Sequence, residues 1–71
     1  MKKTIIQLIE SKRNFALEKK AEAEAENDAY SRGFWQGVAL QANDDINLIN
    51  IEYITEASID EIAKRYVHES D

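Results

Sequence analysis

Residues 18–28 read Glu-Lys-Lys-Ala-Glu-Ala-Glu-Ala-Glu-Asn-Asp (EKKAEAEAEND), and the architecture turns on what this stretch does. Alanine, glutamate and lysine are among the strongest helix formers, so a helix is predicted through it. Eleven residues without one large apolar side chain have little to bury, however. Glu18 and Glu22, then Glu22 and Glu26, also set like charges four apart, at a few tenths of a kcal/mol each. Such a segment is either a solvated rod or the alanine-lined side of a close contact. Asn27-Asp28 could cap a second helix. Two other places could break the chain: Ser31-Arg32-Gly33, where glycine costs about 1 kcal/mol relative to alanine, and the polar run Asn43-Asp44-Asp45. With no proline to force the choice, the preferred expectation is one helix from about Ile5 to about Asn50, roughly 70 Å long at 1.5 Å per residue. The alternative is a hairpin folded near residues 27–33.

Before this stretch, Thr4-Ile5-Ile6-Gln7 has capping-box spacing, which predicts a helix start near Ile5. Ile5, Leu8, Ile9, Phe15 and Ala16 then share one side. After it, Trp35, Ala39, Ala42, Ile46, Ile49 and Tyr53 recur at spacings of four, three, four, three and four, which is a heptad seam. Phe34, Val38 and Leu48 flank and widen the seam, as suits a bundle or a dimer. A second capping box, Ser58-Ile59-Asp60-Glu61, predicts a short amphipathic helix carrying Ile59, Ile62, Ala63, Tyr66 and Val67 on one face. Residues 48–54 are read as helix end plus connector, since a lone strand would have no partner. The expected class is therefore all-α: a long N-terminal helix and a short C-terminal one in a single small domain spanning residues 1–71.

A chain of 71 residues buries only about 60–65% of the surface its unfolded form exposes, so its own core is marginal. It has no cysteine to staple it, yet it must hide nine isoleucines, four leucines, two valines, one methionine and six aromatics. One rod with one short helix folded back cannot hide them all. Homo-oligomerisation, with a dimer favoured, is the expected remedy. The expected interface for self-association or a partner comprises Tyr30, Phe34, Trp35, Val38, Ala39, Ala42, Ile46, Ile49 and Tyr53. Gly33 and Gly37, four apart around Phe34-Trp35-Gln36, would let another backbone approach one helical face.

The net charge of −5 is unevenly spread. Residues 1–20 hold six cationic side chains against two acidic ones, and residues 21–71 hold three against twelve. Affinity for nucleic acid comes largely from Lys and Arg on phosphates, so direct binding to it is not expected. The basic first third is expected to lie against the acidic remainder of its own chain or of a second copy. Met1-Lys2-Lys3 followed by Ile5, Ile6, Leu8 and Ile9 resembles a signal-peptide start. The apolar run stops at Glu10, too short for that or for a membrane span, and a cytoplasmic location is expected.

Little here suggests reaction chemistry. His68, the one histidine, follows Lys64 and Arg65, which would repel a metal ion. Glu52, Glu56 and Asp60 are spaced by four and could share a helix face, but acid–base or metal chemistry also needs a cavity and supporting partners. Ser11, Ser31, Ser58 and Ser70 have no general base in view. No enzyme, cofactor or metal is expected. Gln41-Ala42-Asn43-Asp44-Asp45 shares only its last position with the Ser-Gln-Glu-Leu-Asp signature of small helical-hairpin aspartyl-phosphate phosphatases, so membership of that family is not implied. In general appearance the chain is similar to accessory proteins of phages and mobile elements. The leading expectation is a non-enzymatic helical interaction module that self-associates and binds a host or partner protein. The alternative is a small acidic inhibitor of phage or mobile-element type. Its stripe of Glu22, Glu24, Glu26, Asp28, Asp44 and Asp45 would occupy the basic nucleic-acid-binding groove of a host defence nuclease.

Overall fold

The computed structural model describes residues 2–51 and 54–66, and all of its regular structure there is helical. Helix α1 spans Lys2–Ala25, α2 spans Ala29–Ile49 and α3 spans Glu56–Ala63. The single long rod is not what forms. The chain folds back after Ala25, and α1 and α2 pack as an antiparallel pair.

The break falls at the first of the three candidate positions, for a local reason. Asn27 takes a left-handed conformation (φ 58°), which asparagine tolerates better than most residues. The Asp28 amide donates to the Ala23 carbonyl at 2.8 Å, and the Asn27 amide to the Glu24 carbonyl at 3.1 Å. These two bonds form a Schellman stop, which satisfies the last carbonyls of α1. Asp28 then begins the next helix, its carboxylate accepting from the Ser31 amide at 3.1 Å. That bond to the Ser31 amide is also the main reason why the Asp28 carboxyl titrates below its ordinary value. A helix stop and a helix start thus share two adjacent side chains. Gly33 stays inside α2, and so does Asn43-Asp44-Asp45. Replacing Asn27 with glycine is expected to stabilise the hairpin by about 0.5 kcal/mol, since glycine reaches this conformation without a Cβ penalty. A thermal melt followed by circular dichroism should show a rise of a few degrees, and a fall would show that the Asn27 side chain matters to the turn.

Both predicted capping boxes are corrected. Helix α1 starts at Lys2, so Thr4 lies within it, and there the backbone ladder replaces a side-chain cap. In α3 the cap is Thr55, with extended backbone (φ −89°, ψ 159°), and its Oγ1 accepts from the Ser58 amide at 3.1 Å. Ser58 is therefore a recipient of the cap. The helix is also shorter than expected: Lys64–Tyr66 form a turn, and Val67 and His68 lie outside the described residues.

The core sits at the end of the hairpin away from its turn. Ile5 and Ile9 of α1, Ala42 and Ile49 of α2, and Ile59 and Ile62 of α3 form one buried cluster, with Ile6, Ile46, Ile54, Ala63 and Tyr66 packed around it. Toward the turn the contact narrows to alanine. Ala16, Ala23 and Ala39 are all buried, but within residues 18–28 only Ala23 is, so that stretch is a largely solvated helix end with a single alanine at the contact. Arg13 ties the middle of the hairpin, donating to the Asn43 side-chain oxygen at 3.2 Å.

Candidate functional site

Two features stand out from the packing: a buried carboxylate under α3 and an uncovered aromatic flank.

Asp45 is fully buried, although a lone aspartate in a domain this small would normally remain in water. Three groups account for its burial. Arg65 donates from Nη1 to Oδ1 at 2.7 Å, and Gln41 donates from Nε2 to the same oxygen at 3.1 Å. Tyr66 donates its hydroxyl to Oδ2. Among the described residues no buried side-chain nitrogen or oxygen lacks a partner. The arrangement pins the turn after α3 to the C-terminal part of α2, twenty residues away in sequence. Asp45 therefore does not belong to the predicted partner-facing acidic stripe. A carboxylate beside a tyrosine and an arginine could in principle handle protons, but Asp45 has no exposed surface through which a substrate would reach it.

Burial, followed by the hydrogen bond to Asp45 and the charge on that carboxylate, pushes the Tyr66 hydroxyl well above its ordinary value of 10.0. A raised pKa means that the fold favours the protonated phenol. Its contribution is complete below about pH 10 and is lost as pH climbs toward the folded-state value. Stability measured by urea denaturation should therefore drop above about pH 10 in the native chain, and drop less in Tyr66→Phe. Parallel curves for the two proteins would detach this hydroxyl from the effect.

The aromatic flank joins the two long helices. Phe15 of α1 meets Trp35 of α2 edge to face at 5.6 Å between ring centroids, and Phe34 meets Trp35 in the same way at 4.9 Å. Phe15 and Phe34 nevertheless remain 46% and 54% exposed. Lys19 lies 5.5 Å from the Phe15 ring centre, within reach of a cation–π contact.

The residues of the predicted interface separate into two groups. Ala39, Ala42 and Ile49 are buried inside the chain itself, with Ile46 packed against the same core. The heptad seam thus closes on α1. Tyr30 (84% exposed) and Phe34 face outward, Trp35 and Val38 are half-buried, and Tyr53 lies outside the described residues. Gly33 and Gly37 line no close approach within the chain, since a Cβ at either would meet no atom within 4 Å. Of the acidic set, Glu22, Glu24, Glu26 and Asp28 gather at the hairpin turn and Asp44 is exposed. Glu22 pairs with Lys19 at 3.5 Å and Glu24 with Arg32 at 3.8 Å. Arg65, Tyr66, Ile5 and Ile9 lie outside the predicted interface and stripe, although residue spacing places Ile5, Ile9 and Tyr66 on apolar helix faces.

Among the described residues no group of three or more His, Asp or Glu side chains is placed to hold a metal ion. No described helix is long and apolar enough to cross a membrane. The fold defines a two-helix hairpin braced by a third, short helix. The chain matches no protein family, none of the curated proteins and none of the solved structures with which it was compared.

Proposed function

We propose that this chain is a non-enzymatic helical interaction module that self-associates and offers its remaining surface to a partner protein. The observation that carries the reading is the uncovered apolar surface. Tyr30, Phe34, Leu40 and Leu48 of α2, Ile51 just after it, and Phe15 and Leu17 of α1 are all more than 40% exposed. Tyr30, Phe34 and Leu48 share one side of α2, and an apolar stripe of that kind points to an interface. Aromatic residues dominate interface hot spots, and Phe34 with Tyr30 supplies them on the outward side of α2.

The test is absolute mass in solution across a concentration series, at low and high salt. An oligomer is expected, and Phe34→Ser should weaken it about 30-fold, the equivalent of about 2 kcal/mol. Phe34 is half exposed, so the substitution should leave helicity intact. A monomer at every concentration up to about 1 mM, where the association free energy would be under about 4 kcal/mol, would overturn self-association.

A second reading is supported by the turn, where Glu22, Glu24, Glu26 and Asp28 stand together in solvent. An acidic tip of this kind suits a basic groove, such as the nucleic-acid-binding surface of a nuclease. The ion pairs with Lys19 and Arg32 offset part of that charge.

A further inference from the structure

The buried seam of α2 is not its only heptad pattern. Tyr30, Phe34, Gly37, Gln41, Asp44 and Leu48 recur at spacings of four, three, four, three and four, and all six are exposed. Ile51 follows three residues on, just past the end of α2, and is also exposed. At 3.6 residues per turn these positions form one stripe, on the side of α2 away from α1. Two grooves flank it, one lined by Phe34, Gly37 and Tyr66 and the other by Leu48, Ile54 and Ile62.

The stripe reads nearly the same in both directions. Phe34 and Leu48 each lie seven residues from Gln41, Tyr30 and Ile51 lie eleven and ten, and Gly37 and Asp44 lie four and three. About a two-fold axis every contact from residue i to residue j is also one from j to i, and centring that axis on Gln41 sets apolar positions against apolar ones at both ends of the stripe. We propose that α2 pairs antiparallel with α2 of a second copy through this stripe, with Gln41 facing Gln41 on the two-fold axis. The inference rests on the self-association reading above and specifies its surface and register.

Size and charge both favour a second copy as the occupant. In this register Tyr30 and Phe34 face Ile51 and Leu48 of the second copy, a large-against-medium apolar match at each end. The two glutamine amides can exchange hydrogen bonds at the centre, since each amide both donates and accepts. Asp44 of the second copy meets Gly37, where no side chain obstructs it. Beside Gly37 in the groove lies Arg65, whose guanidinium is bound to Asp45 yet whose side chain is 53% exposed. One arginine would thus hold the buried carboxylate of its own chain and the exposed carboxylate of the other, twice per dimer. The seam from Tyr30 to Leu48 is about 27 Å long at 1.5 Å per residue.

The chain contains no cysteine, which makes the test direct. Gln41→Cys should give a disulfide-linked dimer under mild oxidation, at least tenfold faster than Ser11→Cys on the exposed side of α1. Phe34→Cys and Leu48→Cys should each cross-link poorly alone and rapidly when mixed. Phe34→Cys linking readily to itself would mean a parallel pair and would overturn the register. If mass shows an oligomer but the Gln41 and Ser11 variants link equally slowly, this face is wrong while self-association stands. A monomeric native chain with no rapid cross-link in any variant removes both readings and leaves the stripe to a different protein.

Discussion

Ile49→Ala is expected to cost about 3 kcal/mol and to leave a large fraction of the chain unfolded at 25 °C. Ile49 is fully buried where all three helices meet, among Ile5, Ile9, Ala42, Ile59 and Ile62. Truncating a side chain at such a place loses its transfer free energy and leaves a cavity, in the range of about 2–5 kcal/mol. A domain of this size rarely has more than about 3–5 kcal/mol in total, so one substitution consumes most of it. Asn47→Ala, exposed on the same helix, should change stability by less than about 0.5 kcal/mol. Urea denaturation followed by helicity distinguishes them, and equal midpoints would show that the core has been placed wrongly.

Asp45→Ala is expected to cost about 2–4 kcal/mol, for a different reason. It removes the acceptor of three hydrogen bonds, one of them from an arginine, and bonds to charged groups are worth about 1.5–3 kcal/mol. The loss should be local at first. Amide exchange in residues 56–66 should quicken more than in α1, because α3 is too short to persist undocked. Asp45→Asn provides the contrast: the amide keeps the size of the carboxylate and one acceptor oxygen, so it should recover part of what alanine loses. If Asp45→Ala leaves both stability and exchange unchanged, the carboxylate does not hold α3.

Most of the architecture is readable from residue spacing. The seam Ala39–Ala42–Ile46–Ile49 is a true packing face, and the short C-terminal helix exists where Ile59 and Ile62 require one. What spacing does not reveal is which surface covers the seam. Ile5 and Ile9 reach it only because the chain reverses at Asn27, and that reversal depends on a left-handed backbone at one residue. Gly33 was a poorer place to bend. A mid-helix glycine costs only about 1 kcal/mol, and a break there would part Trp35 from Phe15. The capping boxes misled because the motif recurs by chance wherever hydroxyls and carboxylates are common. Thr55 and Ser58 are three apart, so each looks like a start, and only one can adopt extended backbone ahead of the helix. Asp45 was illegible for a simpler reason. An aspartate reads as surface unless its partners are known, and Arg65 and Tyr66 lie twenty residues further along the chain.

The position of the turn also sets the order in which the hairpin can assemble. Contacts nearest Asn27 have the shortest loops to close, so they form at the least entropic cost. Yet they bring together alanines, which repay little. A nascent hairpin must therefore close several turns against the entropy of its backbone before Phe15 reaches Trp35 and Ile9 reaches the end of α2. The rate-limiting ensemble should lie at that uphill stage, with α3 joining afterwards. Substitutions among Ala16, Ala23 and Ala39 would then change how fast the chain folds, whereas those in α3 would change how fast it comes apart.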